Sequence, residues 1–420
     1  MKKPNHIILI IVLLVLFILT SELIEFVRNN VFYFLIPLLL SLSLIFWKKK
    51  SKLDTLLTTF ILIVFLAARL IFSNIDQPTL VLRTSAILSF FLLNLVLLIG
   101  PWSRFSDKIL RLYYFRRRLG VSAFFLGWLH FTIVISKLFN LNIKNALSFA
   151  FTFYGFTAFF IMFWMALTSW DYVQKKFKPS WWNILHTLLL IAYIAFAYLF
   201  YTLQKTLNNT LLKYHLYAIA IFVVFWIMVA PYSIVKKIIK TNVFGWKQLH
   251  VLVYIAYFSL IVHVVLQGTL KGIFLNAVFY GLIAFVVGSH AVGWLKKINE
   301  DNNINKKIKS INKKINEDEK TFIGVAYENE FQESIGKKFY INNKPIAVFK
   351  HQGNFIAMSD ICAHQKGPLH KGRIVYGYVE CPWHKWTYNI NDGCSPKPYT
   401  DCVPYYKTKV KDSIVYVSTD

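Results

Sequence analysis

Long apolar runs separated by short polar segments occupy the first 295 residues of the chain. A bilayer core takes about 20 apolar residues per helix. Ten runs approach or exceed that length: 7–27, 31–47, 55–73, 79–100, 119–141, 147–168, 183–203, 212–232, 247–267 and 272–295. The pattern therefore predicts a polytopic α-helical membrane bundle of about ten helices.

After residue 295 the pattern changes twice. Residues 296–320 contain the hexapeptide Lys-Lys-Ile-Asn-Glu-Asp twice, so we expect a charged, solvated linker. Isoleucines spaced four, three and four residues apart also permit an amphipathic helix; they are Ile304, Ile308, Ile311 and Ile315. From residue 321, short alternating runs broken by Gly, Pro and Asn predict a small all-β domain.

Composition and charge agree with a membrane protein. Hydrophobic residues make up 56% of the chain and aromatic residues 17%, which is more than soluble domains carry. The net charge is +27, and residues 1–295 hold 27 Lys or Arg against 6 Asp or Glu. These basic residues lie in short loops between apolar runs, which indicates membrane topology rather than a nucleic-acid surface.

The distribution of the basic residues predicts the orientation. The amino terminus and the loops after the even-numbered helices hold 19 Lys or Arg, and the other loops hold five. Because cytoplasmic loops are enriched in Lys and Arg, both termini are predicted to be cytoplasmic. An odd number of helices, with the tail outside, would break this alternation. The chain is thus interpreted as a multi-pass protein of a bacterial inner membrane.

All four cysteines lie in the predicted β domain, and two of them stand in Cys-plus-His pairs. The pairs are Cys362-Ala-His364 and Cys381-Pro-Trp-His384, with sixteen residues between them. Thiolates suit iron-sulfur clusters and imidazole suits iron, whereas zinc fingers pair Cys with Cys and His with His. The remaining cysteines, Cys394 and Cys402, have no motif partner, and in a reducing compartment we expect free thiols.

The mixed pairs, followed by Gly367-Pro368-Leu369, resemble the Rieske [2Fe-2S] domain over residues 321–420. This resemblance implies a cluster in which two thiolates hold one iron and two imidazoles hold the other. The thiolates would come from Cys362 and Cys381, and the imidazoles from His364 and His384.

Departures from the Rieske pattern bear on the reduction potential. Gly367 and Trp383 stand where respiratory members have a pair of bonded cysteines, so the resemblance implies that this disulfide is absent. Trp386 replaces a hydroxyl donor, although Tyr388 can still supply one hydrogen bond to the cluster. Fewer hydrogen bonds to sulfur predict a ferredoxin-like, low-to-intermediate potential. Lys385 replaces a glycine, which leaves the local loop shape open.

Histidines within the apolar runs are the second candidate for chemistry, because ionisable groups are costly in a bilayer. Residues 182–197 and 246–261 align without gaps at an offset of 64, which places His186 on His250 near the cytoplasmic start of each helix. His130 and His263 lie deeper in their helices. We predict one b-type haem between His186 and His250 and another between His130 and His263.

Other haem arrangements remain open at this point. A single haem, or a pairing of His130 with His186, is also compatible with the pattern. Thirteen residues at 100° each leave His250 and His263 about 140° apart on an ideal helix, so a bulge or tilt would be needed for both to face one axis.

Residues 79–268 resemble the ferric reductase-like transmembrane domain, including the haem-binding subunit of the bacterial methionine sulfoxide reductase system. The resemblance rests on RRRLGVSAFFLGWLHF, on Ala-Leu-Thr-Ser near residue 166 and on the ninth helix, where twelve residues separate Leu-His from a second His. It implies haem binding and electron transfer. Arg116 and Leu199 stand where the family often has further histidines, so its two-haem assignment does not transfer directly.

The resulting organisation has four parts: N-terminal helices of unassigned role (1–78), a ferric reductase-like haem-binding domain (79–295), a linker (296–320) and a Rieske domain (321–420). The leading hypothesis is an oxidoreductase that moves electrons between a cytoplasmic donor, the cluster, the haem or haems and an outer acceptor. The donor would be a reductase or a ferredoxin, and a quinone could replace the outer acceptor. The expected surroundings are membrane lipid, with no nucleic acid. The alternative is a membrane-anchored redox sensor or docking module without haem conduction.

The sequence lacks the residues that three other enzyme classes require. A Rieske oxygenase needs a mononuclear iron held by two histidines and a carboxylate, and no histidine follows His384. Membrane desaturases need clustered histidines, whereas these are isolated. The sequence also contains no Gly-rich dinucleotide fingerprint for a flavin or nicotinamide domain.

Overall fold

The computed structural model describes residues 52–170, 179–206, 252–268, 272–311, 313–317, 320–364, 367–383, 385–397 and 401–419. The chain divides into two compact units. The first contains the chain up to Val96 together with Arg117–Tyr280, and the second contains Leu97–Arg116 together with Gly281–Asp420.

Helices form most of the first unit and the beginning of the second. They are α1 (Lys52–Ile71), α2 (Gln77–Trp102), α3 (Asp107–Arg111), α4 (Arg116–Ile133), α5 (Ile143–Leu147), α6 (Ala150–Thr168), α7 (Pro179–Thr206), α8 (Val253–Gln267) and α9 (Ile273–Ile311). A 3₁₀ turn, Leu112–Phe115, joins α3 to α4, and a π-helical turn, Val134–Leu138, follows α4.

Five helical stretches in the described part of the chain are long and apolar enough to cross a membrane: α1, α2, Lys108–Leu138, α6 and α9. Shorter apolar helical segments lie at Thr187–Thr202 and in α8. The predicted runs 7–27, 31–47 and 212–232 lie outside the described residues. A helical membrane region is therefore confirmed, and the total of about ten helices stays a prediction.

Polar contacts join the helices of the first unit at buried positions. The Tyr257 hydroxyl on α8 donates to Asn94 Oδ1 on α2 at 2.7 Å. The Ser89 hydroxyl on α2 donates to the Ala123 carbonyl on α4, also at 2.7 Å. Interhelical hydrogen bonds of this kind stabilise membrane bundles, where apolar burial alone gives little preference for protein over lipid.

The segment predicted as a solvated linker is instead mostly helical. Helix α9 continues to Ile311, and residues 314–317 form a strand. Ile304 and Ile308 pack against the core of the β domain, and Asp301 accepts hydrogen bonds from the side chains of Lys338 (2.9 Å) and Tyr340 (3.0 Å). The linker prediction was wrong because the isoleucine face finds an apolar partner, and its burial outweighs the tendency of the charged face to stay solvated.

The β domain in the second unit contains three antiparallel sheets. Its strands are β1 (Lys314–Glu317), β2 (Lys320–Tyr327), β3 (Gly336–Ile341), β4 (Lys344–His351), β5 (Asn354–Ser359), β6 (Arg373–Val375), β7 (Tyr378–Glu380), β8 (Thr387–Asn389), β9 (Tyr405–Tyr406), β10 (Thr408–Lys411) and β11 (Ile414–Ser418). The strand orders are β1-β2-β11-β10, β3-β4-β5-β9 and β6-β7-β8. The prediction of an all-β domain is thus confirmed.

The smallest of these sheets carries the connections that matter for chemistry. Strands β6, β7 and β8 pair antiparallel, with Val379 opposite Tyr388. The β6–β7 hairpin turns at Tyr376 and Gly377, which both have positive φ, as tight two-residue hairpin turns require. Loops at the other ends of these strands therefore project from one end of the sheet.

Cys394 and Cys402 form a disulfide, so the expectation of free thiols was wrong. The two residues face each other as an isolated antiparallel bridge between β8 and β9, with Cα atoms 4.0 Å apart. Backbone hydrogen bonds on both sides hold this approach: Val403 N–H donates to the Gly393 carbonyl at 2.9 Å and Ser395 N–H to the Asp401 carbonyl at 2.8 Å. Free thiols were expected only because the predicted compartment is reducing. The chain reversal that brings Cys394 next to Cys402 is a property of the fold, which the sequence pattern does not indicate.

Replacing both bonded cysteines by serine is expected to destabilise the β domain. The disulfide joins residues separated by 8 positions, and closing so short a loop contributes about 2–3 kcal/mol through the unfolded chain. The measurement is urea unfolding of the detergent-solubilised chain, followed by the susceptibility of the β domain to proteolysis. An unchanged midpoint, with the bond shown intact in the parent protein by mass spectrometry, would contradict the expectation.

Candidate redox sites

Two loops at one end of the smallest sheet carry the Cys-plus-His pairs. We call residues 362–369, between β5 and β6, loop 1, and residues 381–386, between β7 and β8, loop 2. Each loop folds back on itself through a backbone hydrogen bond. In loop 1 the Cys362 N–H donates to the Gly367 carbonyl at 3.0 Å, and in loop 2 the Cys381 N–H donates to the Trp386 carbonyl at 2.7 Å. The backbone of the cysteine in each loop is thereby fixed.

The two loops converge. Cys362 and Cys381 are both buried in one apolar cluster with Leu369 and Val379, and neither is disulfide-bonded. A Cβ atom placed on Gly367 would lie 2.8 Å from Cys381 Sγ, which is closer than side chains tolerate. Glycine is therefore required in loop 1 because loop 2 approaches its backbone directly.

Tyr388 connects loop 1 to β8 through its hydroxyl group. The backbone N–H groups of Ala363 and His364 donate to the hydroxyl oxygen at 2.9 and 3.3 Å. The hydroxyl proton is then directed to Cys362 Sγ, 3.2 Å away. Burial, and secondly the contact with Cys362, raise the pKa of Tyr388 above its usual range, so the hydroxyl stays a donor. Tyr388 thus contacts a predicted ligand sulfur, and its hydrogen bond to the cluster stays a prediction.

The ring of His364 stacks on the indole of Trp386, with centroids 4.4 Å apart and an interplanar angle of 6°. This contact holds the imidazole plane against the base of loop 2. His384 lies outside the described residues. The described residues contain no set of three or more His, Cys, Asp or Glu side chains placed to hold a single metal ion. Of the four predicted ligands, the structure thus brings the two cysteine side chains and His364 to the same end of the domain.

Lys385 has a φ of +58°, in the left-handed region that favours glycine. Its N–H donates to the Cys381 carbonyl at 2.9 Å. The loop therefore keeps the conformation that a glycine would adopt, although the residue is lysine. This conformation costs a residue with a side chain about 1–2 kcal/mol.

Two histidines of the first unit face each other inside the helical bundle. The rings of His130 on α4 and His263 on α8 have centroids 6.5 Å apart and are nearly perpendicular, at 89°. His130 Nδ1 lies 3.2 Å from the Leu82 carbonyl, and His263 Nδ1 lies 2.8 Å from the Phe151 carbonyl. Bonding of Nδ1 to a carbonyl leaves Nε2 as the free ligand nitrogen, which is the usual arrangement of a metal-binding histidine.

The cavity around this pair is apolar and is lined by α2, α4, α6 and α8. Phenylalanine and aliphatic side chains make up most of the walls, among them Phe124, Phe131 and Phe156. Gly155 on α6 makes room for one histidine, since a Cβ atom there would lie 2.8 Å from His263 Nδ1. No sequence motif marked Gly155, because only the packing of α6 against α8 gives it this role.

The side chains of the other predicted pair of histidines lie outside the described part of the chain. His186 belongs to α7, and its side chain lies outside the described residues. His250 also lies outside them. The pairing of His186 with His250 therefore stays a prediction.

The fold and these sites define a membrane-bound redox protein that carries an iron-sulfur domain. Family comparison agrees with both halves. Residues 321–407 match the Rieske [2Fe-2S] domain, and residues 85–197 match the ferric reductase like transmembrane component.

Individual relatives match the C-terminal part. The anthranilate 1,2-dioxygenase ferredoxin subunit of Burkholderia cepacia is 36% identical over 92 residues, which cover 21% of this chain and 84% of that protein. The ferredoxin component of the alkene monooxygenase system of Xanthobacter autotrophicus is 24% identical, over 25% of this chain and 86% of that protein. A solved complex of oxygenase and ferredoxin in carbazole 1,9a-dioxygenase includes a chain that is 26% identical with a TM-score of 0.22; the match covers 23% of this chain and 99% of that one.

Through its C-terminal domain the chain belongs to the Rieske [2Fe-2S] family, fused to a ferric reductase-like transmembrane domain. The chain is therefore an oxidoreductase of the electron-transfer type.

Replacing Tyr388 by phenylalanine is expected to lower the reduction potential of the cluster. The hydrogen bond to Cys362 Sγ stabilises the more negative, reduced state, and a difference of about 1 kcal/mol corresponds to roughly 40 mV for one electron. A redox titration followed by electron paramagnetic resonance measures the shift. Tyr376→Phe is the matched control, because Tyr376 is 97% exposed on a hairpin turn. A Tyr388→Phe potential equal to that of the control would contradict the role given to this hydroxyl.

Replacing Lys385 by glycine is expected to raise the free energy of unfolding of the β domain, measured as loss of the cluster in urea. The increase is at most about 1 kcal/mol, because the greater flexibility of glycine in the unfolded chain offsets part of the strain that is relieved. Lys385→Ala removes the same charge but keeps a Cβ atom at a φ of +58°. The two variants therefore separate backbone strain from charge. If alanine and glycine resist urea equally, the left-handed conformation is not the cause.

Proposed function

We propose that this protein transfers electrons across a membrane, between its Rieske cluster and a b-type haem held in the helical bundle. The observation that carries the proposal is the facing pair of His130 and His263 in an apolar cavity. The Rieske domain on the same chain supplies a one-electron carrier, so donor and acceptor sites are covalently joined.

The histidine pair fits a haem by three criteria. An imidazole nitrogen binds a metal at about 2 Å, so two imidazoles on opposite sides of one ion have centroids roughly 6 Å apart, close to the 6.5 Å between His130 and His263. Their Nδ1 atoms are bonded to backbone carbonyls, which fixes the ring orientation. The apolar walls, with several phenylalanine rings among them, suit a flat apolar macrocycle. A bound haem would accept and release one electron at a time.

In the β domain, we propose that Cys362 and Cys381 hold one iron of the cluster and that His364 and His384 hold the other. Burial of both thiols and the Tyr388 hydrogen bond support the cysteine assignment. The stacked position of His364 on Trp386 supports an imidazole whose plane is fixed before the cluster binds. The likeness to ferredoxin subunits supports electron transfer to a partner rather than oxygenation.

The orientation and partners belong to the same proposal. The 19 basic residues against five favour cytoplasmic termini. Electrons then pass from a cytoplasmic reductase or ferredoxin to the cluster, and from the haem to an outer acceptor or a quinone. On the cytoplasmic side the disulfide of Cys394 and Cys402 is a reducible bond, since Cys402 is exposed and that compartment keeps thiols reduced. We place the protein in the bacterial inner membrane, with its described helices in contact with lipid.

Removing either histidine of the facing pair is expected to abolish the b-type haem absorbance of the purified protein. His130→Ala and His263→Ala each delete one ligand but create space for a free imidazole. Haem content is measured optically after purification, with and without added imidazole. Imidazole is expected to restore part of the absorbance, which a merely structural histidine would not allow.

The matched control is His351→Gln on the β domain, where the histidine pairs with Glu333 on the surface. This change should leave the haem content at the parent value. If the His130 and His263 variants keep full haem content, or if the parent protein contains none, electron conduction through this pair is excluded. The chain would then act as a membrane-anchored redox sensor or docking module.

A further inference from the structure

An aromatic stack joins loop 2 to a polar segment between two membrane helices. The ring of Tyr113 lies flat on the indole of Trp383, with centroids 3.9 Å apart and an interplanar angle of 9°. Both residues belong to the second compact unit. The stack is closer and more nearly parallel than most ring pairs among the described residues, as expected of two aromatic faces in direct contact.

Each of the two stacked residues lies near one of the candidate redox sites in the sequence. Trp383 immediately precedes the predicted ligand His384, and a Cβ atom on Gly367 would lie 3.0 Å from its ring, so the indole also covers loop 1. Tyr113 lies in the 3₁₀ turn that leads into α4, and α4 carries His130. The rings therefore bridge the cluster loops and the start of the helix that presents a haem ligand.

The Tyr113 side of the stack is held in place. An Arg116 N–H donates to the Tyr113 hydroxyl at 3.2 Å, and the guanidinium lies 5.6 Å from the centre of its ring. The polar segment is also tied to α9, because Lys296 Nζ donates to the Arg104 carbonyl at 2.7 Å. Arg104 in turn donates to the Gly293 carbonyl. Helix α9 leads directly into the β domain, so the segment is fixed at two points.

We propose that Tyr113 is a positioning residue for electron transfer, which docks loop 2 at the start of α4 through Trp383. This inference rests on the proposed function for its acceptor. When both groups are bound, one electron would pass from the cluster to the haem, with no change of bond or proton. The rate of such a step falls steeply with the distance between the two centres, so a contact that holds loop 2 in one position would keep the transfer rate high.

The test compares Tyr113→Leu with Tyr113→Phe in the full-length protein. Leucine removes the ring, whereas phenylalanine keeps the stack and loses only the hydroxyl. The cluster is reduced by an electron donor in a stopped-flow instrument, and haem reduction is followed optically. We expect the rate to fall at least tenfold in Tyr113→Leu and to stay within twofold of the parent in Tyr113→Phe.

Two controls separate docking from general damage. The cluster's paramagnetic spectrum and the slow chemical reduction of the haem by dithionite should be the same in all variants. Tyr376→Leu removes a ring that is 97% exposed on the same domain, and should leave the transfer rate unchanged. A parent-like transfer rate in Tyr113→Leu would overturn the proposal.

A second measurement tests docking without any haem. Arg111 and Arg116 flank Tyr113, so trypsin cleavage of this segment reports on its protection by the stack. We expect faster cleavage in Tyr113→Leu than in Tyr376→Leu or in the parent. A parent protein without haem would overturn the proposed function alone, since the cleavage result still decides whether the contact exists. Equal cleavage in all three proteins would overturn the docking contact.

Discussion

A ligand side chain buried from water must have its remaining polar atoms satisfied by protein, and both candidate redox sites depend on this constraint. Inside the bundle, the carbonyls of Leu82 and Phe151 engage the Nδ1 atoms of the two facing histidines. In the β domain, the Tyr388 hydroxyl satisfies a buried cysteine sulfur. The same bonds that remove the cost of burial also orient each ligand, so a cofactor would meet a prearranged set of donor atoms.

The two sites differ in how they achieve close approach. Loop 1 meets loop 2 through the backbone of Gly367, and α6 meets His263 through Gly155. In both places a side chain as small as a methyl group would collide with a predicted ligand residue. The loops are further held by hydrogen bonds within each turn, whereas the helices depend on packing along their length. A change in helix packing would therefore displace the histidine pair more readily than the cysteine loops.

The sequence was sufficient for elements whose signal is local. Apolar runs located the described membrane helices, and the Cys-plus-His spacing identified the Rieske domain, because in each case neighbouring residues act together. Features that depend on distant partners were less accessible. The isoleucines at 304 and 308 permitted a helix, but only their contact with the β core selects it over a solvated linker. The bond between Cys394 and Cys402 forms because the chain reverses into an isolated antiparallel bridge, and Trp383 meets a residue 270 positions earlier.

The central claim is that one chain holds both an iron-sulfur cluster and a haem that exchange electrons. The most direct measurement is a combined optical and paramagnetic redox titration of the purified parent protein, with iron and haem counted per chain. The account predicts one Rieske-type signal with two non-haem irons, together with one or two b-type haems per chain. A Rieske signal with no haem absorbance would contradict it.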